Sequence, residues 1–146
     1  MRPGRKYPRG KYWSNQSVRV WNRCQEKCEI TGASLRIFYP DPACPKPFQT
    51  PLGPLYFGHW KRKWACHHIL SERMARKWIP GCDPHILENL VAITPSLHSK
   101  ITAIEAKLSK TDWLGFRTEL HRLGFPLERL DAAFAALCQS VKSRGS

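Results

Sequence analysis

The segments CHHI (residues 66–69) and NLVAI (residues 89–93), followed by His98, decide the fold of this chain. Residues 63–69 mix aromatic and aliphatic positions, which is typical of a β-strand. The apolar run that begins after Asn89 predicts a second short strand. Neighbouring residues of a regular strand point to opposite faces. The two adjacent histidines can therefore converge only where the first strand ends or distorts, and we expect them at its tip.

A helix is predicted directly after the second strand. Thr94 is a favourable N-cap residue, and Pro95 is favoured at the first helical position. His98 then falls in the first turn, where the helix N-terminus favours a nearby phosphate. Four apolar residues at helical spacing form one core-facing stripe: Leu97, Ile101, Ile104 and Leu108. A shorter helix is expected over residues 71–78, ending before Pro80-Gly81.

This ordered set resembles the HNH endonuclease family, and the resemblance covers about half of the chain, roughly residues 60–108. Members carry His-His or Asp-His on a first strand, Asn at a second strand and His on a helix. The resemblance implies an α+β fold with a ββα-metal (His-Me finger) core. It also implies that His67 and His98 hold a cation, that His68 is the general base, and that Asn89 orients the His68 imidazole.

The residue types suit hydrolysis of a phosphodiester. The reaction needs a more basic water and a cation that neutralises charge on the phosphate. Imidazole titrates near neutral pH and is a good metal ligand. Two histidine ligands leave several positions for water and phosphate oxygens, which favours Mg²⁺ or Mn²⁺, although imidazole also accepts Zn²⁺ or Ni²⁺. The other histidines, His59, His85 and His121, are interpreted as ordinary surface or core residues.

The cysteines depart from the pattern of many HNH proteins, which frame the site with two CxxC pairs that hold a structural zinc. Thr31 stands where a second cysteine after Cys28 would be expected, and Thr94 and Leu97 stand where the other pair would lie. A structural zinc is therefore not expected. A zinc site formed by Cys24, Cys28 and a distant cysteine stays open as an alternative. Six dispersed cysteines indicate reduced thiols rather than disulfides.

The charge of the chain indicates a polyanionic partner. The formal net charge is +13, and neutralisation of phosphates supplies most nonspecific affinity for nucleic acids. Lys61, Arg62 and Lys63 precede the histidine run and are the predicted DNA-binding residues; the alternative is a solvated edge strand. No apolar run is long enough to span a membrane, and we expect a cytoplasmic protein, in a bacterial host cell if it is phage-encoded.

The chain is predicted to form one domain over residues 13–146 behind a flexible basic arm at residues 1–12. Residues 13–29 have helical potential, with Val18, Trp21 and Cys24 expected on one face. The proline-rich residues 40–54 are expected to form an irregular loop. C-terminal helices over about 112–142 are predicted by two apolar stripes separated by Gly124-Phe125-Pro126: Trp113, Phe116, Leu120 and Leu123, then Leu127, Leu130, Phe134 and Leu137.

The sequence thus predicts a metal-dependent DNA endonuclease or nickase. Two alternatives stay open. One is a noncatalytic basic DNA-binding module with a structural metal. The other is a nuclease subunit that is active only with phage packaging proteins such as a terminase, a partner class that the family resemblance alone implies.

Overall fold

A computed structural model describes residues 10–108 and 112–145, with side chains described up to residue 107 in the first segment and residue 141 in the second. The described residues form an α+β fold, as predicted. The helices are α1 (Lys11–Cys24), α2 (Glu72–Trp78), α3 (Pro95–Leu108), α4 (Trp113–Arg122) and α5 (Leu127–Gly145). The strands are β1 (Arg36–Pro40), β2 (Phe48–Thr50), β3 (Gly53–Leu55), β4 (Gly58–Arg62), β5 (Ala65–His68) and β6 (Leu90–Ile93).

The antiparallel pair β5–β6 lies at the centre of the fold and is followed directly by α3. The register places Ala65 opposite Ile93 and His68 opposite Leu90. All of β6 is buried. The Thr94 hydroxyl accepts a hydrogen bond from the Leu97 amide at 3.2 Å, so the predicted N-cap is confirmed. The strand predicted over residues 63–69 begins two residues later than expected.

Helix α2 joins the two central strands, together with a loop and a 3-10 helix at Leu87–Asn89. Its predicted position is confirmed, because the Ser71 hydroxyl accepts from the Met74 amide and caps the first turn. The chain leaves α2 before Pro80, and Gly81 takes a positive φ of 84°. This turn sends the chain back towards β6.

Helix α1 packs against the central strands through Trp21 and Cys24, as predicted, but not through Val18. Val18 is 58% exposed, whereas Gln16, Val20 and Cys24 are buried together with Trp21. Those three positions recur at helical spacing, and this stripe outweighs the single Val18 position. The helix begins at Lys11, so the last residues of the predicted arm are helical, and residues 1–9 lie outside the described residues.

The proline-rich stretch contains a short hairpin, β2–β3, instead of only an irregular loop. It interrupts a longer antiparallel ribbon in which β1 pairs with β4. Gly58 has a φ of 154°, and an added Cβ would lie 2.2 Å from the Tyr39 carbonyl oxygen, so this edge of the ribbon requires glycine.

Helices α4 and α5 close the core, and the predicted C-terminal helix pair is confirmed. Phe116, Leu120, Leu130 and Leu137 are buried, while Leu127 at the start of α5 is 37% exposed. No helix in residues 10–108 or 112–145 is long and apolar enough to cross a membrane.

Candidate metal centre

Strand β5 and helix α3 bring His67 and His98 together. The two imidazole rings have centroids 5.1 Å apart and are almost perpendicular, at 78°. His67 is buried in the next-to-last residue pair of β5 and β6, opposite Val91, so His67 and His68 end the strand as expected. His98 lies in the first turn of α3, where its amide donates to the Thr94 carbonyl. The structure therefore places both predicted metal ligands at one site.

Glu105 is a third member of this site that the sequence did not single out. It lies two helical turns beyond His98 on α3. Its Oε1 is 3.5 Å from Nε2 of His67. Both atoms are buried and lack a hydrogen-bond partner among the described residues. Buried polar atoms without partners are rare, and each calls for an explanation such as a bound ion.

The electrostatics of the pair oppose a simple salt bridge. Burial, together with the electrostatic effect of the neighbouring His98, lowers the pKa of His67 to about 3. Burial raises the pKa of Glu105 to about 7. At neutral pH the contact thus joins a neutral imidazole to a carboxyl group that is close to half ionised. A divalent cation would favour the neutral imidazole and the ionised carboxylate together.

A solvent-open cleft of about 310 Å³ adjoins Glu105 between α2 and α3. The exposed Arg73 projects from α2 at its wall, where a guanidinium can bind phosphate oxygens. The cleft is lined by Ser71, Arg73, Met74, Thr102, Glu105 and Ala106.

His68 belongs to a second cluster with different neighbours. Its Nε2 is 2.9 Å from Nδ1 of His85. Nε2 of His85 is 3.6 Å from Oε1 of Glu72 on α2. The Trp13 ring from α1 stacks on His68 at 4.9 Å. The ligand atoms of His68, Glu72 and His85 lie within 4.8 Å of one another, so this group could hold a metal ion.

The expected convergence of His67 and His68 is not seen among these described contacts. His67 contacts side chains of α3, whereas His68 contacts side chains of α1 and of the segment between β5 and β6. The cause is the regular pairing of β5 up to its last residue, which leaves neighbouring side chains on opposite faces.

The Asn89 side chain hydrogen-bonds to the backbone near His68 and His85. Its amide oxygen accepts from the Leu70 amide, and its amide nitrogen donates to the carbonyls of Leu70 and Pro84. Leu70 follows His68 by two residues, and Pro84 precedes His85 directly. Asn89 thus ties together the two segments that carry the second cluster.

The Cys28 turn is held by hydrogen bonds at the position where a CxxC pair would bind zinc. The Thr31 amide donates to Sγ of Cys28 at 3.4 Å. Burial raises the pKa of Cys28, but hydrogen bonds from Thr31, Ile30 and Thr94 together outweigh burial and bring it below its ordinary value. Within the described part of the chain, the one group of three side chains able to share an ion contains no cysteine.

The predicted DNA-binding residues lie on and just after β4, in the ribbon that precedes β5. All three are exposed. Nζ of Lys61 lies 5.2 Å and Nζ of Lys63 lies 6.0 Å from the Tyr39 ring centre. The guanidinium of Arg62 lies 4.3 Å from the Trp21 ring centre. The aromatic neighbours position the charges and leave them open to solvent.

Sequence reasoning missed Glu105, Glu72 and His85. The seven-residue step from His98 to Glu105 on one helix face could have revealed the first. Glu72 looks like an ordinary first-turn acid beside its cap, and His85 lies in a loop without a local pattern. Comparison with models of protein families, with curated proteins and with solved structures found no match.

The buried carboxyl of Glu105 predicts a pH-dependent stability in metal-free protein. Its folded pKa of about 7 lies above the ordinary 4.5. The contribution of the Glu105 carboxyl to the free energy of unfolding is therefore fully present below about pH 4.5 and is lost as the pH rises through about 7. Glu105→Gln removes this loss. The variant should gain about 2 kcal/mol over the parent between about pH 5 and about pH 8.

Urea unfolding of both proteins in EDTA at the two pH values measures this difference. The lowered pKa of His67 makes stability rise with pH in both proteins, so its effect cancels when the variant is compared with the parent. The exposed Glu128 on α5 supplies the control, since Glu128→Gln should change stability little at either pH. An equal effect of Glu105→Gln at both pH values would show that the carboxyl is ionised throughout.

Proposed function

We propose that this chain is a metal-dependent endonuclease that hydrolyses phosphodiester bonds of DNA. The observation that carries the proposal is that His67 lies beside both His98 and Glu105, with Nε2 of His67 and Oε1 of Glu105 buried and without a hydrogen-bond partner in the described part of the chain. The order β5, β6, α3, with His67 on the first strand and His98 on the helix, supports the proposal, because the HNH resemblance implies this order.

The donor types of His67, His98 and Glu105 suit a divalent ion, but among the described residues their ligand atoms do not all lie within 4.8 Å of one another, so a bound ion would have to draw them together. His67, His98 and Glu105 would hold it as two imidazoles and one carboxylate. The carboxylate favours Mg²⁺ or Mn²⁺, and the imidazoles also accept Zn²⁺ or Ni²⁺. When bound, such an ion supplies neutralisation of the negative charge on a phosphate oxygen. His67 is buried, whereas Glu105 faces the solvent-open cleft through which water and a phosphate could reach the ion.

His68 is the proposed general base. The Glu72 carboxylate lies beside Nε2 of His85 and favours a proton on that nitrogen. Nδ1 of His85 then accepts a hydrogen bond from Nε2 of His68. This tautomer leaves the lone pair of His68 on Nδ1, the atom that can take a proton from water. Because His67 and His68 point to opposite faces of β5, the proposal requires the attacking water to lie at the end of this strand, where both His68 and the ion can reach it.

The substrate is held by cations outside the metal centre. Arg73 lines the cleft beside Glu105, and Lys61, Arg62 and Lys63 extend the positive surface along the preceding ribbon. Contacts of this kind bind the phosphate backbone regardless of base sequence.

A second candidate function is a noncatalytic basic DNA-binding module stabilised by a metal. The buried group His68–Glu72–His85 favours it, because three ligands from separate segments would hold the fold closed. Cleavage by the wild-type chain in Mg²⁺ or Mn²⁺, and its absence in EDTA, separates the enzyme from this module.

His68→Ala should lower the rate of plasmid nicking by about 10²–10⁴-fold, because it removes the group that takes the proton. The fold, followed by circular dichroism, and the affinity for DNA should stay close to those of the parent. The matched control is His59→Ala on β4, an exposed histidine stacked on Tyr39, which should nick at the parental rate. Parental nicking by His68→Ala would exclude it as the base.

His67→Ala and His98→Ala should each weaken Mn²⁺ binding, measured by calorimetry, because each removes one ligand. Glu105→Gln should act in the same direction. EDTA should stop nicking without unfolding the chain, since an ion at an open site contributes less to folding than a closed structural zinc. Undiminished Mn²⁺ affinity in all three variants would place the ion elsewhere.

Replacing Lys61, Arg62 and Lys63 together by Gln should weaken binding to all DNA sequences alike. Each lost phosphate contact should reduce the slope of log affinity against log salt by about one. The matched control changes the exposed Lys27, Lys46 and Lys107 to Gln, with the same loss of charge at scattered positions. Equal slopes in the two triple variants would show that only net charge matters.

A further inference from the structure

The second histidine cluster gathers side chains from three separate segments. His68 ends β5, Glu72 lies in the first turn of α2, and His85 lies in the loop before the 3-10 helix. All are within 17 residues of one another, and their ligand atoms fall within 4.8 Å. Both histidines are buried, and Oε1 of Glu72 lies at ion-pair distance from His85.

We propose that His68, Glu72 and His85 bind a Zn²⁺-type ion at a site separate from His67 and His98. Occupation of this site takes up the lone pair of His68 and therefore inhibits cleavage. The binding stands independently, whereas the inhibition rests on the proposed function.

The donor chemistry selects the class of ion. Two imidazoles and one carboxylate suit zinc, which binds three protein ligands with a fourth position open. Mg²⁺ prefers oxygen ligands and keeps its waters, so it competes poorly for two nitrogens. Ligand atoms around a tetrahedral zinc lie about 3.3 Å apart. Nε2 of His68 already lies 2.9 Å from Nδ1 of His85, and the three ligand atoms lie within 4.8 Å of one another, so small side-chain movements would enclose an ion.

The surroundings hold the ligands in place. Asn89 fixes the backbone on either side through Leu70 and Pro84. From α1, Gln16 donates to the His85 carbonyl at 2.8 Å, and Trp13 covers the His68 ring. Partners of this kind orient metal ligands and strengthen binding.

The same site explains how two metals would have opposite effects. An ion at His67 and His98 does not coordinate His68. An ion bound to Nε2 of His68 displaces the proton from that nitrogen to Nδ1, so the lone pair that would take a proton from water is lost. Zn²⁺ should therefore inhibit nicking in the presence of saturating Mg²⁺.

The test uses Co²⁺ as a spectroscopic substitute for zinc in the full chain, prepared free of metal under reducing conditions. The parent and His67→Ala should both develop the visible absorption of four-coordinate Co²⁺. Glu72→Gln and His85→Gln should bind Co²⁺ at least about tenfold more weakly, since loss of even an outer hydrogen-bond partner costs about 10–100-fold. His59→Ala should bind as the parent does.

Three outcomes would overturn the site. These are absence of the visible bands in the parent, their loss in His67→Ala with retention in Glu72→Gln, and an intense thiolate-to-cobalt band that assigns the ion to cysteine. If His85→Gln does not fold, Glu72→Gln carries the test, because its side chain keeps the same size and is partly exposed.

The inhibition is measured separately, by nicking in Mg²⁺ with increasing Zn²⁺. Zn²⁺ should inhibit the parent, and unchanged nicking at a Zn²⁺ concentration that saturates the site would refute the inhibitory role. A parent without any nicking in Mg²⁺ or Mn²⁺ would refute the proposed function, while the Co²⁺ spectra would still decide whether this site binds metal.

Discussion

The complete burial of β6 is the constraint on which the rest of the structure depends. A strand paired on one side only, with β5, exposes backbone donors and acceptors along its other edge, and buried groups of this kind need partners. Side chains and loops supply them. Glu29 exchanges hydrogen bonds with Ala92, through its backbone amide and its carboxylate. The Leu90 carbonyl accepts from both Arg23 and Arg129, each at 2.7 Å. The central pair thus becomes the meeting point of α1, the Cys28 turn and α5.

This arrangement also separates the chemistry of the two neighbouring histidines. A regular β5 turns His67 towards α3 and His68 towards α1 and α2, so one strand supplies a ligand to each of two clusters. The Asn89 amide then keeps the second cluster in register by holding the chain next to His68 and His85. The cluster around His67 and the cluster around His68 can therefore lie beside the same small sheet. The buried apolar residues of β6 support both.

The parts of the fold that could be predicted are those with local causes. Thr94 and Pro95 define the start of α3 by capping chemistry, and the apolar run after Asn89 defines β6. The prediction that Val18 is buried was wrong, because more than one face of a helix can be turned towards the core. Which face is buried depends on the elements that pack against the helix. The same limit applies to the site. His67 and His98 were paired through a family pattern, but Glu72 and His85 join His68 only through tertiary packing, which no spacing along the chain records.

The two arginines on the Leu90 carbonyl have a consequence for the order of folding during synthesis. The histidine clusters lie within residues 67–105, but the edge of β6 that supports them is completed by Arg23 and by Arg129. A nascent chain that ends before α5 presents this carbonyl with only one of its two partners. The support of this carbonyl is therefore complete only once α5 has been made and has packed against a strand that precedes Arg129 by 39 residues.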